Sequence, residues 1–117
     1  MDLQILSIVW GVQNMAASIA FWSEALHYKL KREPEPDFAI LIPKTGNGMQ
    51  LSLKLTTSPE PRRHHMDLMT NNQHKEVERL LGLGATRMKN WQYEKDADYV
   101  VLLDPDGNSF CVVQAPM

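Results

Sequence analysis

The chain has 117 residues, with 44% hydrophobic and 22% charged side chains and a net charge of −2. That length fits one domain with a single core, and that composition argues against a disordered chain. With a pI near 6.0 and no basic run, there is no electrostatic footprint for nucleic acid or an anionic membrane.

The apolar runs are strand-sized, far short of the roughly 20 residues that a membrane helix needs. Met1-Asp2-Leu3-Gln4 lacks a basic segment and a long apolar one, so no signal peptide is expected. A single cysteine, Cys111, cannot form an intramolecular disulfide, which fits a cytoplasmic location.

In chain order, Leu6 to Val12 is a short, partly β-branched strand. Asn14 follows as a helix N-cap, since its side chain can accept from an unpaired backbone N–H. Met15, Ile19, Trp22 and Leu26 then recur at helical spacing and predict one apolar face, with Ser18 and Ser23 elsewhere. A strand beginning at Tyr28 stops at the Glu33-Pro34-Glu35-Pro36 turn. Phe38 to Ile42 is another, and Thr45-Gly46-Asn47-Gly48 turns it into Met49 to Leu55, where apolar residues alternate with Gln50, Ser52 and Lys54. The same order then returns. Arg63 to Met69 is strand-like, and Asn71-Asn72 precedes a helix carrying Val77 and Leu80, ended by Gly82 and Gly84. Thr86 to Trp91 predicts a strand, Gln92 to Asp98 a polar loop and Tyr99 to Leu103 a strand. Asp104-Pro105-Asp106-Gly107-Asn108 is a tight turn into Ser109 to Gln114.

The two halves superpose. An offset of 58 takes Asn14 to Asn72 and Trp22 to Leu80, and an offset of 61 takes Gly46-Asn47 to Gly107-Asn108. The fold class is therefore α+β, with two βαβββ modules in tandem. Residues 1–117 form one domain, with module one over 1–57 and module two over 58–117, joined through the segment carrying Pro59 and Pro61.

Several of these features together resemble the glyoxalase/bleomycin resistance/dioxygenase superfamily, the vicinal oxygen chelate (VOC) proteins, and within it the bacterial-type glyoxalase-like domains. They are the doubled module, Phe21-Trp22 followed by Ala25-Leu26, His65-Met66-Asp67-Leu68, Leu83-Gly84-Ala85, and the Leu103 to Asn108 hairpin. One departure is His27, where the family usually has glycine, so a differently shaped junction is expected there. The resemblance implies that each module curls its mixed sheet into half of an open barrel, with the concave faces lining one cavity. It also implies a homodimer.

Metal-dependent members carry ligands, usually His or Glu, on the first and last strands of each module. The first-strand positions, seven residues before each capping asparagine, fall here on Ser7 and His65. The last-strand positions, three residues past each turn asparagine, fall on Gln50 and Cys111. If the register of module one slips by two, Ser52 replaces Gln50. Side chains two apart on a strand share a face, so Val9, Ser52, Asp67 and Ser109 line the same surface. His65 is a good ligand, Cys111 suits zinc but not oxygen-loving ions, and Ser7 and Gln50 are poor donors. No cofactor is therefore expected. If a divalent metal binds, His65 and Cys111 hold it.

His65 beside Asp67 reads as a catalytic acid–base pair or as a histidine hydrogen-bonded within a polar cavity. The neighbouring His64 should face the opposite way. Cys111 reads as a small buried residue, or as a nucleophile if His65 activates it. Trp22 reads as core. Trp91, at the end of its strand, is the candidate for stacking a ligand. Three functions remain open. They are a binding protein that sequesters or senses a small, partly aromatic molecule, a metal-dependent lyase, isomerase or dioxygenase centred on His65, and an interaction module with a vestigial cavity.

Overall fold

The structure is a computed structural model and describes residues 6–57 and 65–116. His64, Pro59 and Pro61 lie outside the described residues. The chain divides into two compact units, Met1–Arg62 and Arg63–Met117.

In the first unit, β1 (Ser7–Val12) leads into α1 (Met15–Leu26), and β2 (Tyr28–Leu30), β3 (Phe38–Pro43) and β4 (Gln50–Leu55) follow. The sheet order is β1-β4-β3-β2, with β1 parallel to β4 and the other pairs antiparallel. Parallel neighbours cannot be joined by a tight turn, so α1 and the β2–β3 hairpin form the connection between them. Strand alternation puts Trp10 and Val12, Leu51 and Leu53, and Ala39 and Leu41 on one face, where all are buried. Helix α1 covers that face. The Trp22 indole meets Trp10 edge-on at 5.8 Å between centroids, and Phe21 edge-on at 4.9 Å. Both geometries suit aromatic quadrupoles.

The apolar stripe of α1 is rotated from the one that the spacing predicted. Ser18, Phe21, Trp22 and Ala25 are buried, while Met15, Ile19 and Leu26 are only half-buried. Trp22 belongs to both stripes. Small side chains at 18 and 25 let the helix backbone descend on the sheet, so the two large rings rather than the flexible aliphatics occupy the centre. At the helix start, the Asn14 side chain accepts from the Ala17 N–H at 3.1 Å, as a cap should. At its end, His27 adopts the left-handed conformation, φ 57° and ψ 48°, and its N–H reaches the Ser23 carbonyl. The junction thus keeps the shape that a glycine would give it, contrary to expectation. An L-residue there costs about 1–2 kcal/mol.

In the second unit, β5 (Met66–Thr70), α2 (Gln73–Gly82), β6 (Thr86–Arg87), β7 (Tyr99–Leu103) and β8 (Ser109–Gln114) repeat the plan, in the order β5-β8-β7-β6. Val77 and Leu80 of α2 are buried, as are Met66, Leu102, Phe110 and Val112 on the sheet face of matching alternation. Asn72 caps α2 by accepting from the Lys75 N–H. The β7–β8 turn is held by Asp104, whose carboxylate accepts from the N–H groups of Asp106 and Asn108 at 3.0 and 2.8 Å. Gly107, φ 87°, and its counterpart Gly46, φ 74°, take the left-handed position that such turns require.

The strand expected over Thr86 to Trp91 is only two residues long. Asn90 lies in the left-handed region, φ 64°, which breaks the extended run. The Met88 N–H still reaches the Val101 carbonyl, but the Val101 N–H binds the Tyr93 hydroxyl at 2.8 Å. A side chain has thus taken the donor that a longer β6 would have paired. Among the described residues no helix is long and apolar enough to cross a membrane.

Candidate functional site

The ladder of module two brings the predicted residues together. Asp67 on β5 lies directly opposite Cys111 on β8, and His65 immediately precedes β5 on the same face. The imidazole sits over β8, with Nδ1 3.1 Å from Ser109 Oγ and Nε2 3.3 Å from Cys111 Sγ. Nε2 is also 3.3 Å from Asp67 Oδ1, a pair left 43% and 68% exposed. Two proton arrangements satisfy these contacts. With hydrogen on Nε2, the ring donates to Asp67 and the Ser109 hydroxyl donates to Nδ1. With hydrogen on Nδ1, the ring donates to Ser109 and the Cys111 thiol donates to Nε2. Either way the Ser109 hydroxyl fixes one side of the ring, and Asp67 or Cys111 fixes the other, as a proton-transferring or ligating histidine needs.

Cys111 is buried. Burial raises its pKa above the ordinary thiol value, and the charge of Asp67 and the hydrogen bond to it raise it further. At neutral pH it therefore stays a thiol, which argues against a standing nucleophile.

Module one is built differently at the same place. Ser7 pairs with Gln50, and Val9 with Ser52. Val9 and Asp67 are 58 residues apart, so the ladder partner equivalent to Cys111 is Ser52, the alternative register, rather than Gln50. The Ser7 and Ser52 hydroxyls lie 2.6 Å apart and hydrogen-bond to each other. Ser7 Oγ also approaches the Gln50 carbonyl at 3.4 Å. Ser52 is buried and Val9 is 57% exposed. These neutral hydroxyls are poor donors for a divalent ion, so the residues of module one at the family's ligand positions do not fit a metal. The described residues of module two, by contrast, place His65, Asp67 and Cys111 with their donor atoms within 4.8 Å of one another.

Trp10 and Trp22 are core residues, each fully buried. Trp91 is 45% exposed and lies in the loop beyond β6 rather than at a strand end. Its ring stands perpendicular to that of Tyr99 at 6.5 Å, and its Nε1–H donates to the Tyr99 hydroxyl at 3.3 Å. That hydroxyl donates to Glu94 at 2.8 Å, and Tyr93 stacks at a tilt on the Tyr99 ring, 5.4 Å away. Tyr99 is two residues before Val101, which faces Cys111, so the aromatic group rises on the sheet face that carries His65. The Trp91 hydrogen bond lowers the Tyr99 pKa, but Glu94 and burial outweigh it, and the net direction is upward.

Tyr93, Glu94 and Tyr99 were not singled out by the sequence, which placed 93 and 94 in a solvated loop. The available signal was alternation from Cys111 and Val101 back to Tyr99. Nothing local announces that Tyr93 folds back onto β7.

The sequence signature of the glyoxalase-like domain matches residues 7–113. Among curated proteins, none matches the chain. Among solved structures, a glyoxalase/bleomycin resistance protein/dioxygenase family enzyme from Burkholderia phytofirmans superposes with a TM-score of 0.74 at 18% identity, over 97% of this chain and 100% of that one. The fosfomycin resistance protein FosX from Listeria monocytogenes gives 0.76 at 12%, over 100% and 94%. A mutant of FosX was crystallised with Mn(II) and 1S,2S-dihydroxypropylphosphonic acid. A glyoxalase-related enzyme from Fulvimarina pelagi gives 0.71 at 17%, over 97% and 88%. At such identities these structures establish the fold alone, whereas the signature spans nearly the whole sequence. The chain belongs to the glyoxalase-like domain family, with the fold of the glyoxalase/bleomycin resistance/dioxygenase (VOC) superfamily.

Proposed function

We propose that this protein binds a small, partly aromatic molecule on the module-two sheet face, for sequestration, resistance or sensing. The supporting observation is that two kinds of group share that face. The His65–Asp67–Ser109 cluster supplies a donor, an acceptor and a titratable ring. The Trp91, Tyr93 and Tyr99 rings supply stacking surface. Binding sites for small ligands combine just such apolar area with a few convergent polar groups. This function does not call on the metal that the superfamily shares between modules. We further propose that the protein works as a two-fold homodimer in the cytoplasm. A monomeric mass at micromolar concentration in analytical ultracentrifugation would count against the dimer.

A second assignment, a metal-dependent lyase, isomerase or dioxygenase, is favoured by the FosX neighbour, which was crystallised with Mn(II). It is weakened here because a thiol donor such as Cys111 is a poor partner for Mn(II).

The test is a thermal-shift screen of small aromatic and cationic compounds, run in excess chelator. Stabilisation by at least one compound is expected, reduced by His65→Ala and by Trp91→Ala. If no compound stabilises the protein, or if neither variant alters the shift, the assignment fails.

A further inference from the structure

We infer that module two by itself forms a zinc(II) site, with His65 Nε2, the Asp67 carboxylate and Cys111 Sγ as its three protein ligands. The inference goes beyond small-molecule binding and does not rest on it. It starts from the mismatch described above, in which module one offers only the paired hydroxyls of Ser7 and Ser52. Module two compensates within its own ladder. Asp67 stands where module one has Val9, and it supplies the third donor beside His65 and Cys111.

The distances suit the ion. Tetrahedral zinc, with Zn–S of about 2.3 Å and Zn–N and Zn–O of about 2.0 Å, separates N from S by about 3.5 Å and N from O by about 3.3 Å. Here His65 Nε2 is 3.3 Å from Cys111 Sγ and 3.3 Å from Asp67 Oδ1. Both distances from Nε2 are therefore within tenths of an ångström of those in a zinc site, and the Asp67 and Cys111 donors lie within 4.8 Å of each other. Ser109 holds Nδ1 at 3.1 Å, and accepting the Nδ1–H there leaves the Nε2 lone pair for the metal, the usual role of a group behind a ligating histidine. The exposure of His65 and Asp67 gives the ion a way in.

The donor set also selects the ion. One imidazole, one thiolate and one carboxylate suit zinc and exclude magnesium and calcium. Binding releases the Cys111 thiol proton to solvent, and the two resulting anionic ligands balance the 2+ charge. Three protein ligands leave the fourth tetrahedral position to water or to an oxygen or nitrogen of a bound molecule.

The experiment uses untagged full-length protein stripped with chelator and titrated with Co(II), the spectroscopic stand-in for Zn(II). One equivalent should produce a thiolate-to-cobalt charge-transfer band and the strong visible bands of a tetrahedral site, both abolished by one equivalent of Zn(II). Cys111→Ser should lose the charge-transfer band. Asp67→Asn should weaken Zn(II) binding by more than about tenfold, while Ser7→Ala and Ser52→Ala should leave it within about twofold. Circular dichroism of each metal-free variant checks that it folds. Absence of the bands, their survival in Cys111→Ser, or loss of binding in Ser7→Ala would each overturn the inference. Because the compound screen above is run in chelator, a failure here leaves the small-molecule assignment standing.

Discussion

The corresponding rungs of the two modules carry opposite chemistry on one backbone plan. In module one, β1 and β4 present Ser7, Val9 and Ser52, two hydroxyls closed on each other and an exposed aliphatic. In module two, β5 and β8 present His65, Asp67 and Cys111, a titratable ring, a carboxylate and a thiol. The helices differ in the same spirit, since α1 plants Trp22 where α2 plants Leu80. Module one thus carries the larger buried aromatic cluster, the scaffold side of the contrast, and module two carries the ionisable groups.

Three tests break or sharpen that contrast. The largest effect is expected from Trp22→Ala, which removes a ring packed on Trp10 and Phe21 and should cost about 3–5 kcal/mol in denaturant unfolding. Leu80→Ala in module two should cost about 2–4 kcal/mol, and a larger loss there than at Trp22 would reverse the assignment of scaffold.

Next comes His27→Gly. It relieves the left-handed backbone at the end of α1 and should raise stability by about 1 kcal/mol, seen as a higher Tm. Module two already has glycine at the corresponding turn, Gly84 with φ 115°, and Gly84→Ala should lower stability instead. A destabilised His27→Gly would mean that the imidazole makes a contact worth more than the strain.

The smallest effect is kinetic. Burial is the first reason the Cys111 proton stays in place; Asp67→Asn removes the charge that adds to it, and alkylation of Cys111 by iodoacetamide at about pH 8 should speed up severalfold. An unchanged rate would show that burial alone governs the thiol. Because the folded-state pKa is raised, this group's contribution to stability is present below the ordinary thiol value of 9.0 and is lost as pH climbs through the folded value. Asp67→Asn should weaken that alkaline loss.

Most of the fold is legible in the sequence because its signals are local. Asn14 and Asn72 cap their helices, Gly46 and Gly107 mark their turns, and the alternation of β4 and β8 fixes which side chains share a face. His65, Asp67 and Cys111 are legible for the same reason once the modules are superposed. The counterpart of Cys111 is not, because Gly48 and Met49 intervene between the turn asparagine and β4, whereas Ser109 follows Asn108 directly. Counting from the asparagine therefore lands two residues short of Ser52. The early end of β6 is also hidden. It depends on Asn90 turning left-handed and on Tyr93 reaching Val101, a contact between parts of the chain that no local pattern encodes.

That Tyr93 contact bears on how the molecule avoids sticking to others. A strand with an unpaired row of N–H and C=O groups is a template for a neighbouring chain to add itself, the first step toward aggregation. Strand β6 shields β7 for only two residues, and the phenol of Tyr93 then plugs the next open donor, Val101 N–H. A side-chain hydroxyl offers no further backbone to extend the ladder, so that donor is closed without creating a new edge. Bulky Trp91 and the charged Glu94, joined to Tyr99, stand over the same stretch as a guard against foreign strands.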